Sequence, residues 1–299
     1  MKRDVYQNIT DKIISQLEQG VRPWLQPWNA SHMDGRVALP LRHNRVAYRG
    51  VNVIALWMQA MEKGYSAPIW MTFKQAIDLG GCVRKGEKGT LSVYADKITR
   101  SEIDAETGEE SPFDIHYMKG YTVFNVEQID GLPETYYCKP APRSETLPRI
   151  EHAERFFAAT GAQIRHGGDR AYYAIGTDHI QMPPFEAFRD AESYYATLAH
   201  EGTHWTRHPS RLDRSFGQKR WGDEGYAMEE LVAELGSAFL AADLELTPEP
   251  REDHAAYLDH WLKVMKADKR AIFNAASHAQ RATDFLHGKR QPQALEAAA

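Results

Sequence analysis

Apolar residues recur at helical spacing from the start of the chain. Tyr6, Ile9, Ile13 and Leu17 share one face, Asp4 stands in a capping position and Gly20 follows the last of them, so a helix is predicted between these limits. A second helix is predicted over 51–63, closed by Gly64, and a short third over 72–79, closed by Gly80 and Gly81. Between the first two, Arg22-Pro23-Trp24-Leu25-Gln26-Pro27-Trp28 reads as extended, because each proline disfavours helix at the residue before it. A loop rich in Arg and His follows, to about residue 48. Strand-like runs stand at 90–95 and 119–126, and the acidic, Gly- and Ser-containing stretch 100–112 between them is expected to be a mobile loop or hairpin tip. Residues 138–148 hold three prolines and almost no apolar side chain, the composition of a linker. Beyond it come a helix over 150–160, a hairpin over 171–182 turning at Gly176-Thr177-Asp178, and long helical stretches at 190–207, 225–243 and 252–285. The pattern predicts an α+β protein with a first domain over 1–135, a linker over 136–149 and a second domain over 150–290.

Composition narrows the classes. The 299 residues are 42% hydrophobic, enough for proper cores, and no run approaches the roughly 18 apolar residues of a membrane span. The first residues lack the apolar stretch of a signal peptide, and Cys82 and Cys138 cannot make a disulfide framework or a Cys-rich zinc site. A cytoplasmic protein with no membrane partner is expected. The net charge of −5 conceals a split. Residues 1–100 hold 15 Lys and Arg against 8 Asp and Glu, a net of +7, and the remainder holds 21 against 33, a net of −12. Such asymmetry points to separate tasks for the two segments.

The most specific chemical signal is His200-Glu201-Gly202-Thr203-His204 on a predicted helix that Asp190 can cap. Side chains four apart share a helix face, so both imidazoles can reach one metal ion, and Glu201 can act as general base toward water. A catalytic zinc site takes a third protein ligand, and no third histidine follows at a suitable spacing. Glu224, Glu229, Glu230 and Glu234 are the available carboxylates. Glu229, Val232 and Gly236 form a stripe beside the core stripe of Leu231, Val232, Leu235, Ala238 and Phe239. A glycine inside a helix marks a close approach, so the Glu229 stripe is expected to face the histidine helix. Glu229 is the first choice for third ligand, and Glu230 is second, with Glu234 one turn on as its supporting partner. The edge of the 171–182 hairpin suits an extended peptide.

The basic segment mixes cations with glycines at 42–52 and 80–90 and interleaves Trp24, Trp28, Tyr48, Trp57, Trp70 and Phe73. A basic groove with aromatic platforms is how single-stranded nucleic acid is held without reading sequence. Trp57, between Ile54 and Met61 at helical spacing, is expected in the core.

Several ordered stretches carry a family resemblance. In the first half they are Asp4-Val5-Tyr6 through Pro23-Trp24 to Trp28, Tyr48-Arg49-Gly50-Val51-Asn52, Trp70-Met71-Thr72-Phe73-Lys74-Gln75-Ala76, Arg84-Lys85-Gly86-Glu87-Lys88-Gly89 and Val123-Phe124-Asn125-Val126-Glu127-Gln128. In the second they are Met182-Pro183-Pro184-Phe185, Tyr194-Tyr195-Ala196-Thr197-Leu198, the histidine motif with Trp205, Arg211-Leu212-Asp213-Arg214 and Tyr226-Ala227-Met228-Glu229-Glu230-Leu231-Val232-Ala233-Glu234-Leu235. Together they resemble the ArdC antirestriction proteins of conjugative plasmids and the related N-terminal region of TraC-type primases. The resemblance implies a mixed α/β N-terminal domain that binds single-stranded DNA and a C-terminal zincin-like metallopeptidase domain. It implies a bacterial protein that protects incoming plasmid DNA from host restriction and can travel with it, with a host restriction-system protein as a target. On this reading Arg45, Arg49, Arg84, Lys85 and Lys88 contact DNA, and Trp24, Trp28, Tyr48 and Trp70 supply stacking surfaces. His200, His204 and Glu229 bind Zn2+ or another divalent ion such as Mn2+, and Glu201 activates water. The opposing reading is a DNA-shielding protein whose metal site is structural or vestigial.

Overall fold

The structure, a computed structural model, describes residues 4–24, 38–103, 110–137, 147–217, 224–246 and 255–288. Asp4 caps helix α1 (Val5–Glu18), its side chain accepting from the Gln7 amide. Strand β1 (Leu41–Arg42) leads to α2 (Val51–Lys63), which ends at Gly64 in the left-handed conformation. After β2 (Ile69–Met71), α3 (Phe73–Asp78) opens with a reciprocal capping box between Thr72 and Gln75. Then come β3 (Cys82–Val83), the long strands β4 (Thr90–Ile103) and β5 (Glu110–Asn125), and β6 (Ile129–Asp130). The first sheet has the order β1-β2-β5-β4, and β3 pairs with β6 separately. The acidic stretch expected as a loop is partly strand, since Ser101 pairs with Pro112 and Ile103 with Glu110; residues 104–109 lie outside the described residues.

The second half comprises α4 (Leu147–Ala159), β7 (Gln163–His166), β8 (Tyr172–Ala174), β9 (His179–Met182), α5 (Ala191–Trp205), α6 (Glu224–Asp243), α7 (Ala255–Ala267) and α8 (Ala271–Leu286). The expected hairpin is β8–β9, and β7 adds to β9 in parallel to give the order β7-β9-β8. The stretch expected as one helix over 252–285 is two. At the break the Asp268 carboxylate accepts from the Arg270 amide at 2.8 Å, a local bond that competes with helix continuation.

The core crosses the expected domain boundary. Ile9, Ile13 and Leu17 of α1 and Ile54, Leu56 and Trp57 of α2 lie in one buried cluster with Leu231 and Phe239 of α6, Trp261 of α7 and Ile272 and Ala276 of α8. Ring pairs bridge the halves, Tyr6 with Phe273 at 4.7 Å and Trp57 with Phe239 at 6.1 Å. Thr10 donates to the Lys269 carbonyl at 2.7 Å, and Arg49 forms an ion pair with Asp284. A second cluster, including Ile180, Met182, Leu198 and Leu240, joins the small sheet to α5 and α6. A third, around Ile69, Met71, Val126 and Ile129, lies beneath α3. No described helix is long and apolar enough to cross a membrane.

Candidate metal centre

Asp190 caps α5 by accepting from the Ser193 amide at 2.8 Å, so the helix is in full register where the histidines emerge. His200 and His204, four residues apart, stand side by side with ring centroids 4.9 Å apart. α6 runs against the same face. Gly236 makes this possible: a Cβ there would lie 2.6 Å from both Cγ2 and Oγ1 of Thr203. The close approach brings three carboxylates of α6 onto the imidazoles. Glu230 lies 3.5 Å from Nε2 of His200 and 3.5 Å from Nε2 of His204. One ligand atom from each of these three residues lies within 4.8 Å of the others. Glu234 approaches Nδ1 of His200 at 3.3 Å.

Glu229 occupies a different place from the one expected of it. Its Oε1 lies 3.0 Å from Nδ1 of His204, behind the ring, and both its oxygens are held by Arg214 at 2.8 Å. The third position in the cluster therefore falls to Glu230. The stripe of Glu229 and Gly236 does face α5, and there a bidentate guanidinium engages Glu229. Arg214 is 4% exposed and also donates to the Thr206 hydroxyl and the Thr203 carbonyl, at 3.0 and 2.9 Å. The sequence reading gave Arg214 no role; its only signal was its place in the Arg211-Leu212-Asp213-Arg214 stretch. Glu224, exposed in the first turn of α6, is outside the cluster.

The electrostatics favour a cation. Burial opposes protonation of His204, yet the facing Glu230 and Glu229 outweigh it and raise the imidazole well above its ordinary range. Burial likewise opposes ionised carboxylates at Glu229 and Glu230. It is outweighed by the Arg214 guanidinium and His204 for Glu229, and by the two histidines for Glu230, so both are held far below the usual range. Glu201, 3% exposed, sits between the histidines in sequence and is buried with them.

Beside the centre the β8–β9 hairpin is tied to the end of α5. Arg211 pairs with Asp178, donates to the Tyr173 hydroxyl at 3.1 Å and to the Trp205 carbonyl at 2.7 Å, and stacks 3.9 Å over the Trp205 ring. Asp178 is pulled down to about 2, chiefly by the Arg211 hydrogen bonds.

The residues expected to contact DNA are placed very differently from one another. Trp24, Tyr48 and Trp70 are 1%, 3% and 1% exposed, so none offers a ring face to a base. Trp24 packs on Trp261 of α7, with centroids 5.9 Å apart, and Trp70 on Tyr65. The aromatic–basic pattern could not distinguish stacking platforms from side chains buried in the core. Trp28 lies outside the described residues. Arg49 is engaged by Asp284, and Arg45 donates to the Thr135 carbonyl at 2.9 Å. Arg84 is shared among Glu87, Asp130 and the Glu127 carbonyl. Lys85 and Lys88 are exposed.

Residues 3–124 match the N-terminal domain of anti-restriction factor ArdC, and residues 151–278 match a zincin-like metallopeptidase domain. The uncharacterized protein y4eC of Sinorhizobium fredii (strain NBRC 101917 / NGR234) is 44% identical over 291 residues, covering 96% of this chain and 92% of that one. A DNA primase TraC of Escherichia coli is 39% identical over 312 residues, which span 99% of this chain but 28% of the primase. The metal-free crystal structure of the antirestriction protein ArdC from the R388 plasmid is 49% identical with a TM-score of 0.77, covering 96% of this chain and 97% of that one. Its Mn(II)-bound structure is 46% identical with a TM-score of 0.78, covering 97% and 99%. With both halves matched in order and nearly the whole length shared, the chain belongs to the ArdC antirestriction family.

Proposed function

We propose that this chain is a plasmid antirestriction protein acting in the bacterial cytoplasm: its N-terminal half binds single-stranded DNA without reading sequence, and its C-terminal half is a divalent-metal-dependent peptidase. The observation that carries the peptidase reading is the convergence of His200, His204 and Glu230 beside a buried Glu201. The donor set fits a cation. Each of the three residues brings a ligand atom within 4.8 Å of the others, and Glu230 reaches Nε2 of each histidine at 3.5 Å, through a different oxygen in each case. Two imidazoles and a carboxylate suit Zn2+ and accept Mn2+. The Mn(II)-bound ArdC of R388 supports a divalent ion here. A cation bound by these residues supplies a Lewis acid that polarises a carbonyl.

This chain's own residues do the rest. Glu229, locked by Arg214, accepts from Nδ1 of His204 and so leaves Nε2 as the ligating nitrogen; Glu234 approaches Nδ1 of His200 at 3.3 Å. Glu201 acts as general base, taking a proton from water and passing it to the leaving amine. The β8 edge offers main-chain groups to an extended peptide, with a host restriction-system protein as the target. The DNA-shielding alternative needs no general base, so Glu201 separates the two. The test is plasmid transfer into a restricting host with wild type and Glu201→Gln, alongside metal content. Loss of protection with metal retained is expected. Full protection by the variant overturns the peptidase role, and failure of wild type to bind labelled oligo-dT overturns the DNA role.

A further inference from the structure

With Trp24, Tyr48 and Trp70 inside the core, the N-terminal half needs another face for bases. Its two most exposed large apolar side chains on a helix, among the described residues, are Phe73 and Ile77, at 54% and 50% exposure. They are four residues apart on α3 and so share a face. Most of each side chain faces solvent, while α3 is anchored beneath by Ala76 and the third core cluster.

The patch continues into the glycine-containing loop over 84–89. Phe73 meets the ring of Phe124 edge-on, with centroids 6.4 Å apart. Gly89 lies against that same ring. A Cβ on Gly89 would lie 3.0 Å from Cζ of Phe124 and 2.2 Å from Cγ2 of Thr122, so only glycine lets the loop lie this close. Gly86 turns the loop at a φ of 90°, another conformation that favours glycine.

Charge on this surface is sorted. Arg84 engages the acids of the loop and its neighbour strand, Glu87 at 3.0 Å and Asp130 at 3.3 Å. That leaves Lys85 and Lys88 exposed on the loop and Lys74 exposed next to Phe73, against Asp78 as the exposed acid of α3. An open aromatic ring with lysines on its flank is complementary to a chain that carries both phosphates and unstacked base faces. Duplex DNA shows phosphates but hides the base faces.

We propose that α3 and the 84–89 loop form the single-strand contact of this protein, with a base stacking on Phe73 beside Ile77 and phosphates paired by Lys74, Lys85 and Lys88. This rests on the reading that the N-terminal half binds single-stranded DNA, and supplies the surface that the buried tryptophans cannot.

The experiment is fluorescence anisotropy of labelled 20-nucleotide oligo-dT and of a labelled duplex with the full chain. The proteins are wild type, Phe73→Ala, the double variant Lys85→Glu/Lys88→Glu, and Arg155→Glu on α4 as a control. Phe73→Ala weakens single-strand binding at least about fivefold and leaves duplex binding unchanged. The double charge reversal weakens both and flattens the dependence of log affinity on log salt by about 1.4 for the single strand, two phosphate contacts' worth. Arg155→Glu binds as wild type. Wild-type affinity in Phe73→Ala, or an equal loss for duplex and single strand, overturns the stacking role. An unchanged salt slope in the double variant overturns the phosphate role. A wild type that binds no single strand removes the parent reading, and the surface assignment with it.

Discussion

Arg214 grips Glu229 through both carboxylate oxygens, Nε to Oε2 and Nη2 to Oε1, each at 2.8 Å. Both side chains are almost wholly buried. Removing one member of such a pair strands the other's charge in the interior, which costs about 3–5 kcal/mol, whereas removing both costs far less. Arg214→Met is therefore expected to lose several kcal/mol in urea titration. Arg214→Met/Glu229→Gln should recover much of that loss. A single variant within about 1 kcal/mol of wild type would mean that the pair carries no such tension.

The two adjacent glutamates of α6 separate cleanly in a metal titration. Glu230 faces Nε2 of both histidines, so Glu230→Gln is expected to abolish stoichiometric uptake of Zn2+ or Mn2+. Glu229 touches only Nδ1 of His204 on this face, so Glu229→Gln should keep one ion per chain at an affinity about 10–100-fold weaker. In wild type, saturating ion at 100 times its Kd adds about 2.7 kcal/mol, and a chelator reverses the gain. Full metal uptake by Glu230→Gln, measured by elemental analysis after dialysis, would reassign the third ligand.

What the sequence could show about this centre follows from helical geometry. Residues one apart on a helix point about 100° apart, and the stripe of Glu229 and Gly236 correctly identified which side of α6 meets α5. It could not tell which of two neighbouring carboxylates faces a ring's Nε2 and which its Nδ1. That choice is made by Arg214, which reaches in from the loop after α5. The helices of the first half were legible because their caps are local: Asp4 on Gln7, Thr72 with Gln75, Gly64 in the left-handed conformation. The fate of Trp24 was not, because the ring that covers it, Trp261, comes from a helix more than 200 residues later. Periodicity reports which face of an element is apolar and is silent on what buries it.

Gly236 and Thr203 give a steric test of the same helix contact. Alanine is the better helix former by about 1 kcal/mol, so Gly236→Ala would stabilise an isolated helix. Here the new methyl would overlap Thr203, which is fully buried with its hydroxyl bonded to the Ala199 carbonyl. Overpacking of this kind costs about 1–3 kcal/mol, so a net loss of stability is expected, with weakened metal affinity as α6 shifts outward. Thr203→Ala in the same chain removes both clashing atoms and should restore part of each. Additive losses in the double-mutant cycle would exclude the clash as the cause.

His278 sets a pH dependence on the far side of Arg214. Its ring packs against Phe216 at 5.1 Å, and burial, then Arg281 and Arg214, push it down to about 4, against a weak opposing pull from Glu229. The unfolded chain takes up this proton near 6.5 and the folded chain only near 4. Stability attributable to His278 is therefore complete above 6.5 and is lost as pH falls toward and through 4. His278→Gln should flatten the stability profile over that window and leave it unchanged above pH 7. An equally steep profile in the variant would place the titrating group elsewhere.

The shared core makes a final prediction about the two halves. The apolar faces of α1 and α2 are buried against α6, α7 and α8: Tyr6 lies on Phe273, Trp57 on Phe239 and Trp24 on Trp261. Thr10, Lys269, Arg49 and Asp284 add polar ties across the same boundary. A fragment ending at residue 135 would expose Ile9, Ile13, Leu17, Ile54 and Trp57 together, a patch too apolar to remain in water without a partner. The full chain is expected to melt in one calorimetric transition with matching calorimetric and van't Hoff enthalpies. Residues 1–135 alone should bind a hydrophobic dye and lose near-ultraviolet dichroism, and adding residues 147–288 in trans should restore it. A well-dispersed, monomeric NMR spectrum from the isolated fragment would show that the N-terminal half folds without the helices that cover it.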